Sequence, residues 1–219
     1  MFNPVVVTMI VRGLGETLYM TLLSTALAYV LGLPLGVIFV VTEKEGLCPN
    51  LYLNKILNVI INLTRSVPFL ILLVAVLPFT RWVVGTTIGS NATVVPLVIA
   101  AAPFIARLVE SSLKEVDIGV IEAAQSMGAN PKEIICKVML PEALPSLIVG
   151  CAIAVTTILS YSAMAGFVGG GGLGTIAINY GYHRYQKDIM FVTVALLVIV
   201  VQVLQEIGMK LAAICDKRK

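Results

Sequence analysis

The sequence predicts an all-α polytopic membrane protein with about five transmembrane helices. Three observations carry that expectation. Hydrophobic residues make up 58% of the 219 positions and charged residues only 12%, against roughly 25% charged in a soluble domain. So few charges cannot coat a globular surface, so apolar surface must face lipid. The mean hydropathy is +0.99. Five stretches approach or exceed the ~20 apolar residues that a helix needs to cross a bilayer. The formal net charge of +3 does not point to nucleic acid. Cys48, Cys136, Cys151 and Cys215 lack CxxC spacing and read as packing or surface thiols. Met1–Ile10 has no basic leader or small-residue cleavage site, so the first span is read as its own insertion signal.

Taken in order, the expected spans run over Thr17–Val41, Ile56–Phe79, Ala92–Leu113, Leu144–Val168 and Ile189–Ile214. In the first, Gly32 and Gly36 flank Pro34, and small residues at that spacing permit close helix packing, or the proline a kink. In the second, Lys55, Asn58, Asn62 and Arg65 recur every three or four residues and form one polar stripe. Two readings fit. The helix turns this face to water before a span that begins at Ser66, or it lines a water-filled path, since a charge at mid-membrane costs about 2.5–3.5 kcal/mol on insertion scales. Pro68 and Pro78 are expected to bend it. In the third, Arg107 and Glu110 stand one turn apart, as an ion pair or as a helix end among headgroups.

Basic residues set the orientation. Lys44, Lys55, Arg107, Lys114, Lys132, Lys137, Lys210, Lys217, Arg218 and Lys219 fall on one side, and Arg12, Arg81, Arg184 and Lys187 on the other. The richer side is expected to be cytoplasmic, with the N-terminus outside and the C-terminus inside. The segment from Ser111 to about Ala143 then lies in the cytoplasm.

That segment contains "DIGVIEAAQSMGANPKEIICKVMLPEALP" from Asp117 to Pro145. It reads as two short helices. Asp117 caps the first and Gly128 ends it in a left-handed turn. Asn130 caps the second, with Pro131 at its first position and Glu133 at its third, and Leu140-Pro141 is expected to stop it. The first helix carries Ala123, Ala124 and Gly128 beside Glu122, Gln125 and Ser126. A small-surfaced helix of this kind suits a partner's groove, or simply folds back on the bundle.

Glu122-Ala123-Ala124, Gly128, Val138 and Leu140-Pro141 resemble the EAA loop of ABC importer permeases. "RSVPFLILL", "AAPFIARLVE", "YSAMAG" and "GGGGLG" extend the likeness from Arg65 to about Tyr185, toward the methionine-importing subfamily. The resemblance implies a type I importer permease fold, with residues 1–219 as one permease domain. It implies that Glu122, Ala123, Ala124 and Gly128 couple to a separate ATPase. It implies a homodimer, two ATPase subunits that hold ATP and Mg, and an extracytoplasmic binding (lipo)protein. The substrate expected is methionine, or else D-methionine or another small amino acid or sulfur compound.

Other motifs carry less. Gly169-x-Gly171-x-x-Gly174 satisfies a dinucleotide fingerprint as a string, but no strand precedes it, and the glycines read as a sharp turn. No GxxxxGK[ST] occurs, so this chain is not expected to hold nucleotide, and no catalytic constellation marks it as an enzyme. His183 with Tyr180, Tyr182 and Tyr185 reads as an interfacial aromatic cluster. Ser160, Ser162 and Met164 are expected toward the outer end of the fourth span, where Met164 suits an adaptable apolar gate. Together with Asn62 and Arg65 they form the expected translocation path. Packing is the competing reading. An ion-coupled secondary transporter would need titratable groups within the membrane, and the acidic residues mostly fall near helix ends. A membrane scaffold that recruits a soluble partner is the other rival.

Overall fold

In a computed structural model, which describes residues 4–216, helices form at each hydrophobic stretch and no strand occurs among the described residues. In chain order they are α1 (Pro4–Val41), α2 (Leu51–Ser66), α3 (Phe69–Val84), α4 (Ser90–Lys114), α5 (Ile118–Ser126), α6 (Pro131–Ile134), α7 (Leu140–Glu142), α8 (Leu144–Met164), α9 (Gly172–Ile176) and α10 (Lys187–Cys215). Lys217, Arg218, Lys219 and the first residues of the Met1–Ile10 signal reading lie outside the described residues. Four helical stretches are long and apolar enough to cross a membrane, and the pair α2–α3 makes a fifth.

The first span starts at Pro4 rather than Thr17. Residues 4–11 are uncharged and mostly apolar, the Thr8 hydroxyl donates to the Pro4 carbonyl one turn back (3.0 Å), and the cation that follows, Arg12, pairs with Glu16 at 3.1 Å one turn on, so nothing stops the helix. Pro34 sits inside α1 without ending it. The second span is not one helix over Ile56–Phe79. It breaks at Val67-Pro68, with a bend of 107°. Pro68 takes φ −57° and ψ 136°, has no amide to donate, and disfavours helical geometry in the residue before it.

Of the polar stripe on α2, Lys55, Asn62 and Arg65 are exposed and Asn58 is half-buried. Tyr52, Ile56, Val59, Ile60 and Leu63 are exposed, so the apolar side of this helix faces outward. Asn54 and Asn58 face inward, and Ile61 is buried with Phe39 and Ala106.

The chain divides into two compact units. One comprises residues 4–27, 67–101 and 155–205, the other residues 28–66, 102–154 and 206–216. Helices α1, α4, α8 and α10 each contribute to both.

In the first unit the glycine-rich run is a buried reversal. Gly169, Gly171 and Gly172 take φ of 76°, 88° and 71°, which only glycine adopts cheaply. Its freed backbone groups are all answered. The Gly172 amide donates to Glu16 Oε2 (2.9 Å), the Leu173 amide to Thr17 Oγ1 (2.9 Å), and the Thr93 hydroxyl to the Gly170 carbonyl (3.0 Å). Ile10, Leu173, Ile176 and Ile189 form the adjoining core. The aromatic cluster follows, with His183 edge-on to Tyr182 and the Arg184 guanidinium 4.5 Å over the Tyr180 ring.

In the second unit, α1 and α4 pack backbone to backbone. A Cβ on Gly32 would lie 2.8 Å from the Ala102 carbonyl oxygen, and one on Gly36 would lie 2.7 Å from that of Ala106. This is the small-residue contact the spacing of Gly32 and Gly36 predicted.

Gly36→Ala should therefore lower the melting temperature in detergent, by overpacking worth about 1–3 kcal/mol. Gly15→Ala, whose added Cβ would meet nothing within 4 Å, should not. Equal melting temperatures for the two variants would contradict this packing.

Candidate functional site

The segment between α4 and α8 is built by local capping, as its sequence requires. Asp117 Oδ1 accepts the Gly119 amide at 2.7 Å and starts α5. At the other end Gly128 takes φ 82°. Its amide donates to the Gln125 carbonyl (2.9 Å) and that of Ala129 to Ala124 (3.1 Å), the pair of bonds that defines a Schellman end. Asn130 Oδ1 accepts the Glu133 amide (2.9 Å) while Glu133 Oε2 accepts the Asn130 amide (3.2 Å), a complete capping box. The hydrogen bond from the Asn130 amide, and then the Lys137 ammonium at 3.1 Å, hold the Glu133 carboxyl below the usual carboxylate range.

Leu140-Pro141 does not stop the second helix. Ile135–Met139 widens into a π turn, and the Leu140 amide reaches the Ile135 carbonyl. Pro141 has no amide, and its ring would crowd the carbonyl four residues back in an α-helix. The wider turn accommodates it, α7 continues directly from it to Glu142, and α8 follows after Ala143.

On α5, Glu122, Ala123 and Gln125 are exposed, as is Gly128 beyond it. Ala124 is not: it is only 4% exposed and packs into its own unit. A Cβ on Gly128 would meet nothing within 4 Å, so this glycine is required by the turn rather than by a neighbour in the chain. Sequence reasoning missed the apolar part of this surface. Ile118 (67% exposed), Val120 and Met127 (82%) stand open beside Glu122 and Ala123. The signal was present in the sequence, because three large apolar residues in a polar connecting segment have no reason to be there unless something covers them.

The residues expected along a translocation path separate into groups. Ser160 and Met164 are exposed one turn apart on α8. Ser162 is 1% exposed, and its hydroxyl donates to the Leu159 carbonyl at 2.7 Å, so it faces away from them. Arg65 is exposed at the end of α2. Asn62 is occupied: its Oδ1 accepts Arg107 Nη2 at 2.8 Å, and its amide donates to Asn58 Oδ1 at 2.8 Å. Arg107 Nη2 also donates to Asn58, and Nη1 to Glu110 Oε2 at 2.6 Å. The Arg107 guanidinium lies 4.5 Å over the Phe39 ring. Lys114 Nζ then bridges Glu110 (2.8 Å) and Glu43 (2.7 Å). The Arg107–Glu110 ion pair is thus real and part of a larger network.

A chain of apolar spans, interrupted by a capped helix with an uncovered apolar rim, has the form of the membrane subunit of a multi-part assembly. Residues 32–213 match the sequence model of the binding-protein-dependent transport system inner membrane component. The probable D-methionine transport system permease protein MetI of Vibrio cholerae serotype O1 is 55% identical over 203 residues, covering 93% of this chain and 90% of that protein. The D-methionine transport system permease protein MetI of Escherichia coli K12 is 49% identical over 158 residues, covering 72% and 73%. A chain from the inward-facing MetNI methionine ABC transporter superposes with a TM-score of 0.97 at 45% identity, covering 99% of this chain and all of that one. A chain from an amino acid ABC transporter shares the fold with a TM-score of 0.76 at 20% identity, covering 97% and 95%. The chain belongs to the family of binding-protein-dependent transport system inner membrane components.

The capping box makes the segment acid-sensitive in a defined direction. Because the folded carboxyl of Glu133 titrates below its unfolded value, its contribution is present above that unfolded value, about pH 4.3. It is lost as the pH falls through the lower folded value. Hydrogen exchange, corrected for intrinsic rate, should show the Asn130 amide losing protection over that acid window, and Glu133→Gln should abolish the pH dependence. Protection that is flat through the acid range in the unaltered protein would contradict it.

Proposed function

We propose that this chain is the transmembrane permease subunit of an ABC importer that carries methionine into the cytoplasm. ATP is hydrolysed by a separate subunit that holds the nucleotide and Mg. Residues 1–219 act as one permease domain. Two copies pair, two ATPase subunits bind beneath, and an extracytoplasmic binding (lipo)protein delivers substrate. The chain sits in the bacterial cytoplasmic membrane with its N-terminus outside and its C-terminus inside, in keeping with the basic residues that cluster on one side. The relatives above are named for D-methionine transport, and the family-level likeness leaves the same path open to other small amino acids or sulfur compounds.

The single observation that carries the mechanism is the uncovered surface of α5: Ile118, Met127, Ala123 and Glu122, exposed on a helix fixed at both ends by caps. A capped helix held rigidly to the end of a span transmits displacement, whereas a flexible loop absorbs it. Apolar residues with no cover in the chain itself supply the burial that docking needs. ATP-driven closure of the ATPase pair would move both docked helices and re-orient the bundle. On this reading Glu122, Ala123 and Gly128 make or shape the contact, while Ala124 anchors the helix from behind. Ser160 and Met164 on α8 face the path or gate, Arg65 lies on it, and Asn62 acts as a structural partner of Arg107.

Ala123→Trp tests this without straining the backbone, since Ala123 is an ordinary helical residue with an exposed side chain. The variant should insert and purify normally but lose co-purification with the ATPase. In proteoliposomes, uptake of labelled methionine should require ATPase, ATP and unaltered α5 together. Normal co-purification of Ala123→Trp would count against docking at α5. Uphill uptake by the permease alone would favour an ion-coupled transporter.

A further inference from the structure

Docking at α5 explains how force reaches the permease but not how it leaves that helix. The geometry around the end of α4 supplies a route. Between α4 and α5 stand only Glu115, Val116 and Asp117. The Glu115 amide bonds to the Ser112 carbonyl and that of Val116 to Leu113, both at 3.3 Å, and Leu113 and Val116 are buried. Asp117 then caps α5. The connection is a chain of hydrogen-bonded turns, so α5 and the last turns of α4 are mechanically continuous.

On those last turns Arg107, Glu110 and Lys114 project from α4 at spacings of three and four, one above the other. Each makes a different tie. Arg107 reaches two asparagines one turn apart on α2, Asn58 and Asn62, and its flat face rests on Phe39 of α1. Glu110, with 11% of its side chain exposed, joins Arg107 to Lys114, and Lys114 continues to Glu43 just beyond α1. The charges sum to zero, two cations against two carboxylates, so the cluster can be buried without leaving an ion unpaired. The connection to α2 is made by neutral amides that accept from one guanidinium. A planar fork with several fixed donors can bond Glu110 and both asparagines at once, whereas the single nitrogen of lysine cannot span them. Apart from Arg107, α2 is held to α1 by Asn54 Nδ2, which donates to the Phe39 carbonyl (2.7 Å) and Thr42 Oγ1 (3.2 Å), and by a small apolar contact of Leu57 and Ile61 with Phe39, Leu35 and Ala106, so Arg107 supplies the polar tie from α4.

We propose that Arg107 is the positioning residue that makes α1, α2 and α4 move as one body with the docking helix α5. This rests on the reading of α5 as the site where the ATPase binds. Arg107 touches neither nucleotide nor substrate in this scheme. Its task is to pass displacement sideways, from the helix that continues into α5 to two neighbours that do not.

The test uses the reconstituted transporter with its ATPase and compares the unaltered permease with an Asn58→Leu/Asn62→Leu double variant. That variant cuts the tie between Arg107 and α2, leaving the Arg107–Glu110 pair and the Asn54 bonds of α2 to the end of α1 intact. Two quantities are read: substrate imported per ATP hydrolysed, and the distance from α2 to the end of α4 that continues into α5, between spin labels at Leu53→Cys and Ser111→Cys, both exposed and outside the docking surface, in a background free of the native cysteines. In the unaltered protein the distance should be narrow and the same with and without ATP. In the double variant ATP hydrolysis should persist, import per ATP should fall about 5-fold or more, and the distance should broaden. If the double variant fails to assemble, Arg107→Lys, which keeps one charge pair and loses the fork, takes its place with the same expectation. An assembled variant with unchanged import per ATP and an unchanged distance overturns the proposal. So does a variant that loses ATPase binding, because the defect then lies at docking. Import by the unaltered transporter that does not need the ATPase overturns the reading of α5 itself.

Discussion

Close approach of two helix backbones is the contact on which the second unit depends. Gly32 and Gly36 let α1 lie against the carbonyls of Ala102 and Ala106 on α4, at distances that any side chain would block. Within lipid there is little hydrophobic force to hold helices together, so tight van der Waals contact and hydrogen bonds must do it. The close approach also sets the place of the charges. Phe39 lies one turn beyond Gly36, and Arg107 directly follows Ala106, so the contact that joins the backbones delivers the guanidinium onto the aromatic face. From there the hydrogen bonds to Asn58, Asn62 and Glu110 follow.

Much of this fold can be read from the residues alone, and the parts that can share a physical reason. Caps are local: Asp117, Gly128, Asn130, Pro131 and Glu133 decide their backbone geometry within four residues of themselves, and each does in the structure what its chemistry dictates. Glycine reversals are local too, as at Gly169–Gly172. The small-residue stripe of Gly32 and Gly36 is nearly so, needing only a partner helix.

What could not be read depends on distance along the chain. That Asn62, exposed on α2, also accepts from Arg107 could not be read, because the two lie 45 residues apart. Ser162 looks like a neighbour of Ser160 until the helix is seen to bury it against its own backbone. Ala124 shares a motif with Ala123 but faces the opposite way, because adjacent residues on a helix lie about 100° apart. The break at Pro68 was visible as a bend but not as a separation into two helices. A proline lacking its amide can end a helix, as Pro68 does, or sit inside one, as Pro34 does in α1, and only the surroundings determine which, along with the 107° turn that follows here.

The functional picture joins two kinds of surface on one chain. The spans show hydrocarbon, and α2 does so while turning Asn54 and Asn58 inward. The connecting segment shows Ile118 and Met127 where water would be. On the proposed reading, lipid covers the first surface and the ATPase subunit the second. Hydrogen exchange of residues 118–128 in the membrane-embedded permease, with and without the ATPase subunit, addresses that distinction most directly. Slowed exchange confined to this segment on adding the ATPase is the expected result. Exchange there that does not change, while the ATPase binds elsewhere on the permease, would contradict docking through α5.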